Sequence, residues 1–145
     1  MRPGSGIPWL AMALLGCMLT ACAAPIPQPD LLAPTEEQLK LRNFQTRSFD
    51  VNDRNEVIRA VIAALQDLGF IIERANEPLG LVTAARFAEP RYFDVVGVTV
   101  TVRPQPEGAM LVRANAIYNN EPVTDPKVYQ NFFATLERSL FIERN

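Results

Sequence analysis

Two runs decide how this chain folds: Phe93-Asp-Val-Val-Gly-Val-Thr-Val-Thr-Val-Arg103 and Met110-Leu-Val-Arg-Ala-Asn-Ala-Ile-Tyr118, separated by Pro104-Gln-Pro-Glu-Gly108 and Ala109. Side chains on a strand alternate between its two faces. Val96, Val98, Val100 and Val102 therefore share one face of the first run, and Gly97, Thr99, Thr101 and Arg103 share the other. In the second run Met110, Val112, Ala114, Ala116 and Tyr118 oppose Leu111, Arg113, Asn115 and Ile117. A hairpin centred on Pro106 sets Val102 against Met110, Val100 against Val112 and Val98 against Ala114. The apolar faces of the two strands then coincide, and register and pattern support each other.

Working outward, Asp53-Arg-Asn-Glu56 matches a capping box, with an acidic N-cap and a glutamate at N3. Val57, Ile58, Val61, Ile62, Leu65 and Leu68 follow at helical spacing, and Gly69 stands where a left-handed C-terminal cap belongs. The spacing predicts a helix over 54–68. Phe70–Arg74 and Leu81–Arg86 read as strands joined by the turn Ala75–Gly80, and Pro90 breaks the next stretch. Phe44–Val51 has strand-like content and gives an edge strand open to another chain. Thr124-Asp125-Pro126 starts a second helix, whose apolar stripe is Val128, Tyr129, Phe132, Phe133, Leu136, Leu140 and Phe141. The expected fold is α+β, ordered β-α-β-β-β-β-α. An antiparallel sheet carries two helices packed on one face, within a domain spanning 42–145. Thr99, Thr101, Arg103, Leu111, Arg113 and Asn115 belong on the other face.

The N-terminus has a different character. Arg2 precedes an almost wholly apolar run from Ile7 to Ala21, the n-region and h-region pattern of a secretory signal. The run is shorter than the roughly 20 residues a spanning helix needs. A buried helix is the alternative reading. The run ends Leu19-Thr20-Ala21-Cys22, which resembles the lipobox of bacterial lipoproteins. That resemblance implies a signal peptide over 1–21, cleavage before Cys22, and lipid attached to its thiol, the strongest nucleophile available there. Leu14-Leu15-Gly16-Cys17 is a poorer match, because cleavage there leaves a short h-region. With Cys22 lipidated and Cys17 removed, no thiol remains for a disulfide. Residues 22–41 then form a lipidated cysteine and a proline-rich tether, extended at about 3 Å per residue. A proline-rich ligand for a partner is the alternative. Ala23, where many Gram-negative lipoproteins retained in the inner membrane carry aspartate, implies the outer-membrane default.

Composition narrows the function. The 145 residues suit one domain, the net charge is -2, and there is no histidine. That charge argues against a nucleic-acid partner, which requires a basic face. Without histidine there is no Ser-His-Asp or Cys-His machinery and no main transition-metal ligand. The seven glycines form no phosphate loop. A carboxylate-dependent cell-wall hydrolase remains conceivable, yet Asp50 and Asp53 read as strand-end and cap residues, and Glu73 and Glu77 flank a turn. The expectation is no enzyme, no metal, and no cofactor beyond the covalent lipid on Cys22. Two surfaces suit binding. One is Arg86-Phe-Ala-Glu-Pro-Arg91-Tyr92-Phe93, read as an inter-strand loop rich in the residue types of interaction hot spots. Its plainer reading makes Phe87 and Phe93 core plugs, with Arg86 and Arg91 solvated beside Glu89 and Asp94. The other is the sheet face with Thr99, Arg103, Arg113 and Asn115, which is also readable as a simple solvated face.

Two phrases carry a wider resemblance. Leu65-Gln-Asp-Leu-Gly-Phe70 leads into Glu73 and Leu79-Gly-Leu-Val-Thr-Ala84, and Thr124-Asp-Pro-Lys-Val-Tyr-Gln-Asn-Phe-Phe133 leads into Leu140-Phe-Ile142. Together they look like a group of bacterial lipoproteins with one small α+β domain behind a lipobox, for which no catalytic residues are established. More distantly, the helix and its "LGF" strand resemble the repeated domain of BamC, a lipoprotein of the outer-membrane protein assembly machinery. BamC has two such domains and a long unstructured segment, whereas this chain has one domain and a short linker. The resemblance implies a lipoprotein in the bacterial envelope, anchored in the outer membrane and facing the periplasm. Its expected role is that of a non-enzymatic accessory or scaffold subunit with an envelope protein partner. A carrier of a lipid or other apolar ligand is the alternative, with Phe132, Phe133, Leu136 and Phe141 lining its site.

Overall fold

The computed structural model describes residues 33–88 and 91–143, without the side chains of Arg91, Tyr92 and Glu143. The signal peptide, Leu19-Thr20-Ala21-Cys22, Pro90 and the tether up to residue 32 lie outside the described residues. Residues Pro34–Asn145 form one compact unit by themselves. All the described elements lie within that unit, and a chain from Ala23 onward includes it whole.

The elements are α1 (Glu36–Gln45), β1 (Thr46–Phe49), α2 (Arg54–Asp67), β2 (Ile71–Asn76), β3 (Leu81–Ala88), β4 (Arg91–Pro104), β5 (Met110–Tyr118), β6 (Glu121–Pro122) and α3 (Pro126–Glu143). The class is α+β, with an antiparallel sheet ordered β1-β5-β4-β3-β2 and β6 pairing with β5. Two elements go beyond the expected order. One is the two-residue β6. The other is α1, whose N-terminal half lies inside the stretch read as tether. Local chemistry starts α1. The Thr35 hydroxyl accepts from the Gln38 N–H at 3.2 Å, and Gln38 Oε1 accepts from the Thr35 N–H at 3.1 Å, a complete capping box.

At α2 only half of the expected box forms. Asp53 accepts from the Asn55 N–H at 2.8 Å, but Glu56 makes no return bond, and its Oε1 is buried without a partner among the described residues. The α2 C-terminus closes as expected. Gly69 has φ 79°, the Phe70 N–H reaches Leu65 O at 2.9 Å, and the Gly69 N–H reaches Gln66 O at 2.9 Å. That is the Schellman pattern. Asp125 caps α3 by accepting from the Lys127 N–H at 2.9 Å, with Pro126 at the first helical position.

The core lies between the helices and one sheet face. Val57, Ile58, Val61 and Leu65 of α2 and Tyr129, Phe132, Phe133, Leu136 and Leu140 of α3 are buried on Val82, Ala84, Val100, Val102, Val112, Ala114 and Ala116. The Phe133 ring sits 5.1 Å from Phe132, edge-on, and 6.3 Å from Phe49 of β1. Two residues of the expected α3 stripe face water instead, Val128 at 42% and Phe141 at 71% exposure. The stripe is therefore narrower than its sequence suggested.

The β4–β5 hairpin has the expected faces but not the expected register. Val102 pairs with Val112, Val100 with Ala114 and Val98 with Ala116, two residues further along β5. The cause is the turn. Gly108, at φ 82°, closes on Gln105 O at 3.1 Å, and the Gln105 N–H reaches Ala109 O at 2.8 Å. A turn followed by a left-handed glycine moves the hairpin centre from Pro106 to Glu107. A shift of two preserves the faces, because the side-chain period is two.

On its outer side β5 pairs with β1 through Met110–Arg113 and with β6 through Ile117–Tyr118. Between them side chains and a loop replace the missing strand. The Ala116 N–H donates to the Tyr129 hydroxyl at 3.4 Å, and Ala116 O accepts from the Val123 N–H at 2.9 Å. The Tyr129 hydroxyl donates to Val123 O at 2.6 Å and accepts from Gln45 Nε2 at 3.1 Å. Gln45, 3% exposed, also donates to Asn115 Oδ1 at 3.2 Å.

Two stability predictions follow from these contacts, both read from urea unfolding of the chain from Ala23 onward. Tyr129→Phe strips the buried gap of its shared hydroxyl and is expected to cost about 1–3 kcal/mol. A Cβ on Gly80 would lie 2.2 Å from Val102 O, at φ 63°, whereas one on Gly108 meets nothing within 4 Å. Gly108→Ala should therefore cost only the left-handed penalty of about 1–2 kcal/mol. Gly80→Ala should cost clearly more, because β3 must also move off β4.

Candidate functional site

Among the described residues the sheet is covered on one face only, so its other face is the first place to look for function. The registers of β1 to β6 sort that face into cross-strand rows. Phe87 and Val95 form the first row, and Ile71, Ala85, Gly97, Ile117 and Pro122 form the second. Arg74, Thr83, Thr99 and Asn115 make the third. Asn76, Leu81, Thr101, Arg113 and Thr46 make the fourth. Arg103, Leu111 and Ser48 complete it. Along the strands the surface thus passes from apolar to polar, and the charged side chains in these rows are all arginines.

The polar half holds a shallow depression of ≈ 420 Å³, lined by Thr99, Thr101, Arg103, Leu111, Arg113 and Asn115. These are the six residues the alternation assigned to this face. In the apolar half, Phe87 and Phe93 follow the exposed rather than the core-plug reading of their segment. Phe93 is 96% exposed, Ile71 70% and Phe87 62%. Phe87 and Phe93 are therefore not core plugs. Phe87 stands at an odd position in a strand whose even positions face the helices, which is the signal that marks it, whereas Phe93 lies in the irregular stretch between the Ala88–Arg91 and Phe87–Val95 pairs. Ile117 reaches across Gly97, where a Cβ would meet its Cγ1 at 3.1 Å. The missing side chain at Gly97 lets the isoleucine lie flat on the sheet.

The Arg86–Phe93 segment is not wholly the inter-strand loop expected from sequence. β3 runs to Ala88 and β4 starts at Arg91, so Arg91 and Tyr92 belong to a strand. Arg86 faces the helix layer, away from Thr99, Arg103, Arg113 and Asn115. Its guanidinium carbon lies 5.0 Å from the Phe70 ring centroid. There it lines a second hollow of ≈ 250 Å³ with Leu68, Phe70, Val98, Val128 and Phe132. Of the side chains expected to line an apolar-ligand site, only Phe132 does so. Phe133 and Leu136 are sealed in the core at 1% and 0% exposure.

The acidic residues weighed for hydrolysis are dispersed: Asp53 caps α2, while Asp50, Glu73 and Glu77 lie exposed at separate points. Among the described residues no group of three or more His, Cys, Asp or Glu is placed to hold a metal ion, and no helix is long and apolar enough to cross a membrane.

No protein-family model and no curated protein matches the chain. Among solved structures it is similar to the adenylate sensor from AMP-activated protein kinase in complex with ZMP, with a TM-score of 0.48 and 14% identity over 66% of this chain and 94% of that one. A likeness of that extent identifies neither ligand nor activity.

The two sheet faces should respond oppositely to truncation. Phe87→Ser with Phe93→Ser is expected to change unfolding stability by no more than about 0.5 kcal/mol and to reduce binding of an environment-sensitive hydrophobic dye. Val100→Ala, on the covered face of the same sheet, is expected to cost about 2 kcal/mol.

Proposed function

We propose that this chain is a lipoprotein of the bacterial envelope. Lipid on Cys22 holds it in the outer membrane facing the periplasm. Its domain serves as a non-enzymatic accessory or scaffold subunit that presents the open sheet face to a protein partner. The observation that supports this most directly is the graded open face. Protein interfaces combine an apolar, aromatic-rich core with a polar margin, and arginine is enriched among their residues. Phe87, Phe93, Ile71 and Ile117 fit the first part, and Thr99, Arg103, Arg113 and Asn115 the second. An exposed apolar cluster beside cations is costly to leave in water unless it has a use. The lipobox resemblance supplies the location. Two or more acyl chains anchor a protein stably, and the segment from Ala23 spaces the domain from the bilayer.

In-cell photo-crosslinking from positions 93 and 99 tests this reading, with position 137 on the exposed side of α3 as control. The expected result is one stoichiometric envelope protein captured from 93 and 99 but not from 137, and lost in a Cys22→Ala chain. Capture from all three positions alike, or undiminished capture without the anchor, overturns it.

A further inference from the structure

The hollow on the helix side raises a separate question, independent of the open-face reading. It lies between the C-terminal end of α2, the first turns of α3 and the sheet. Its floor is Val96, Val98, Ala114 and Ala116. The reason for the space is legible in those residues. At Ala114 and Ala116 the sheet offers only methyl groups, where Val112 and Met110 fill the gap further along β5. Leu65, Tyr129 and Phe132 form the walls, and those three side chains are at most 5% exposed. Two polar residues of the lining, Arg86 and Asn131, are exposed. Among the lining residues Arg86 is the only charged one, and the group includes no carboxylate.

An apolar slot with one cation at its mouth selects an apolar chain ending in an anion. Volume sets the size of that chain. An apolar cavity of 150 Å³ takes benzene, with its six heavy atoms. At the same density ≈ 250 Å³ takes about ten. That suits one short acyl chain and is too little for the two chains of a phospholipid. The geometry points to a binding site for a free single-chain carboxylate of about eight to ten carbons. Its chain rests on Ala114 and Ala116, and its carboxylate meets the Arg86 guanidinium. The Phe70 ring holds Arg86 at the rim through its face, the orientation in which cation and ring attract.

Decanoate titrated into the chain from Ala23 onward, followed by backbone amide shifts, tests the assignment. Saturable one-to-one binding is expected, with shifts at Leu68, Phe70, Val128 and Asn131. Decyltrimethylammonium, with the same chain and the opposite charge, should bind about tenfold more weakly or less, as should decanoate with Arg86→Gln. That factor is the size of one charge-assisted contact. Ala116→Leu fills the floor and should abolish binding. Because it touches the core, Val128→Trp at the exposed rim provides a second block that leaves the core intact. Equal affinity for the two amphiphiles, shifts confined to Ile71, Phe93 and Ile117 on the open face, or no saturation overturns the proposal. So does a response of these residues to phosphatidylglycerol–phosphatidylethanolamine vesicles but not to decanoate.

Discussion

The Tyr129 hydroxyl is the point on which the architecture closes. β5 needs a neighbour along its whole outer side, but β1 covers only its start and β6 only its end. The backbone exposed between them cannot be buried unpaired without a penalty of about 1–3 kcal/mol per group. One phenolic oxygen settles this by accepting from Ala116 and Gln45 and donating to Val123. In doing so it joins α1, α3, β5 and the segment after β6. The ring that carries the oxygen is also core, 1% exposed, so the same residue supplies apolar burial and polar closure. Arg47 reinforces the junction from the other side of β1. It lies 4.9 Å over Phe133 and pairs with Glu137 at 2.7 Å, a surface contact whose ionic part is worth at most about 1 kcal/mol.

What was legible in the sequence follows from period. Strict alternation through Val96–Arg103 and Met110–Ile117 fixed both faces of the central hairpin, and helical spacing fixed the buried side of α2. Register was harder, because it depends on the backbone of one residue. Gly108 in a left-handed conformation adds a position that composition does not reveal. α1 was hidden for another reason. Its residues are largely polar, with Gln45 as its buried member, so it lacks the apolar stripe by which a helix is recognised. Its Thr35/Gln38 box was the available sign, masked by the prolines before it. The core-plug reading of Phe87 and Phe93 failed because it rested on the usual burial of aromatic residues. Parity outranked hydrophobicity at Phe87, which lies on the same side as Thr99, a side that no described element covers.

The two candidate surfaces arise from opposite uses of small residues. On the open face Gly97 lets Ile117 lie flat and makes a smooth apolar patch. On the covered face Ala114 and Ala116 leave a space that neighbouring side chains do not fill. Arg86 belongs to the second surface and Arg103 and Arg113 to the first, the separation the sequence reading also made, although it placed Arg86 in a loop and the structure places it on the helix side of β3. One odd–even step along a strand separates them.

The strand order also governs how the molecule must assemble in time. β3, β4 and β5 are consecutive and pair with their sequence neighbours, so they form a meander that needs only short loops to close. β1 is different, because roughly sixty residues of chain lie between Phe49 and its partner Met110, a closure that local structure cannot prepay. A chain emerging N-terminus first therefore carries α1 and β1 through nearly the whole of its synthesis before their place exists. The buried amide of Gln45 and the ring of Phe49 stay in water until β5 and α3 arrive, so α1 and β1 dock no earlier than the end of the chain is made.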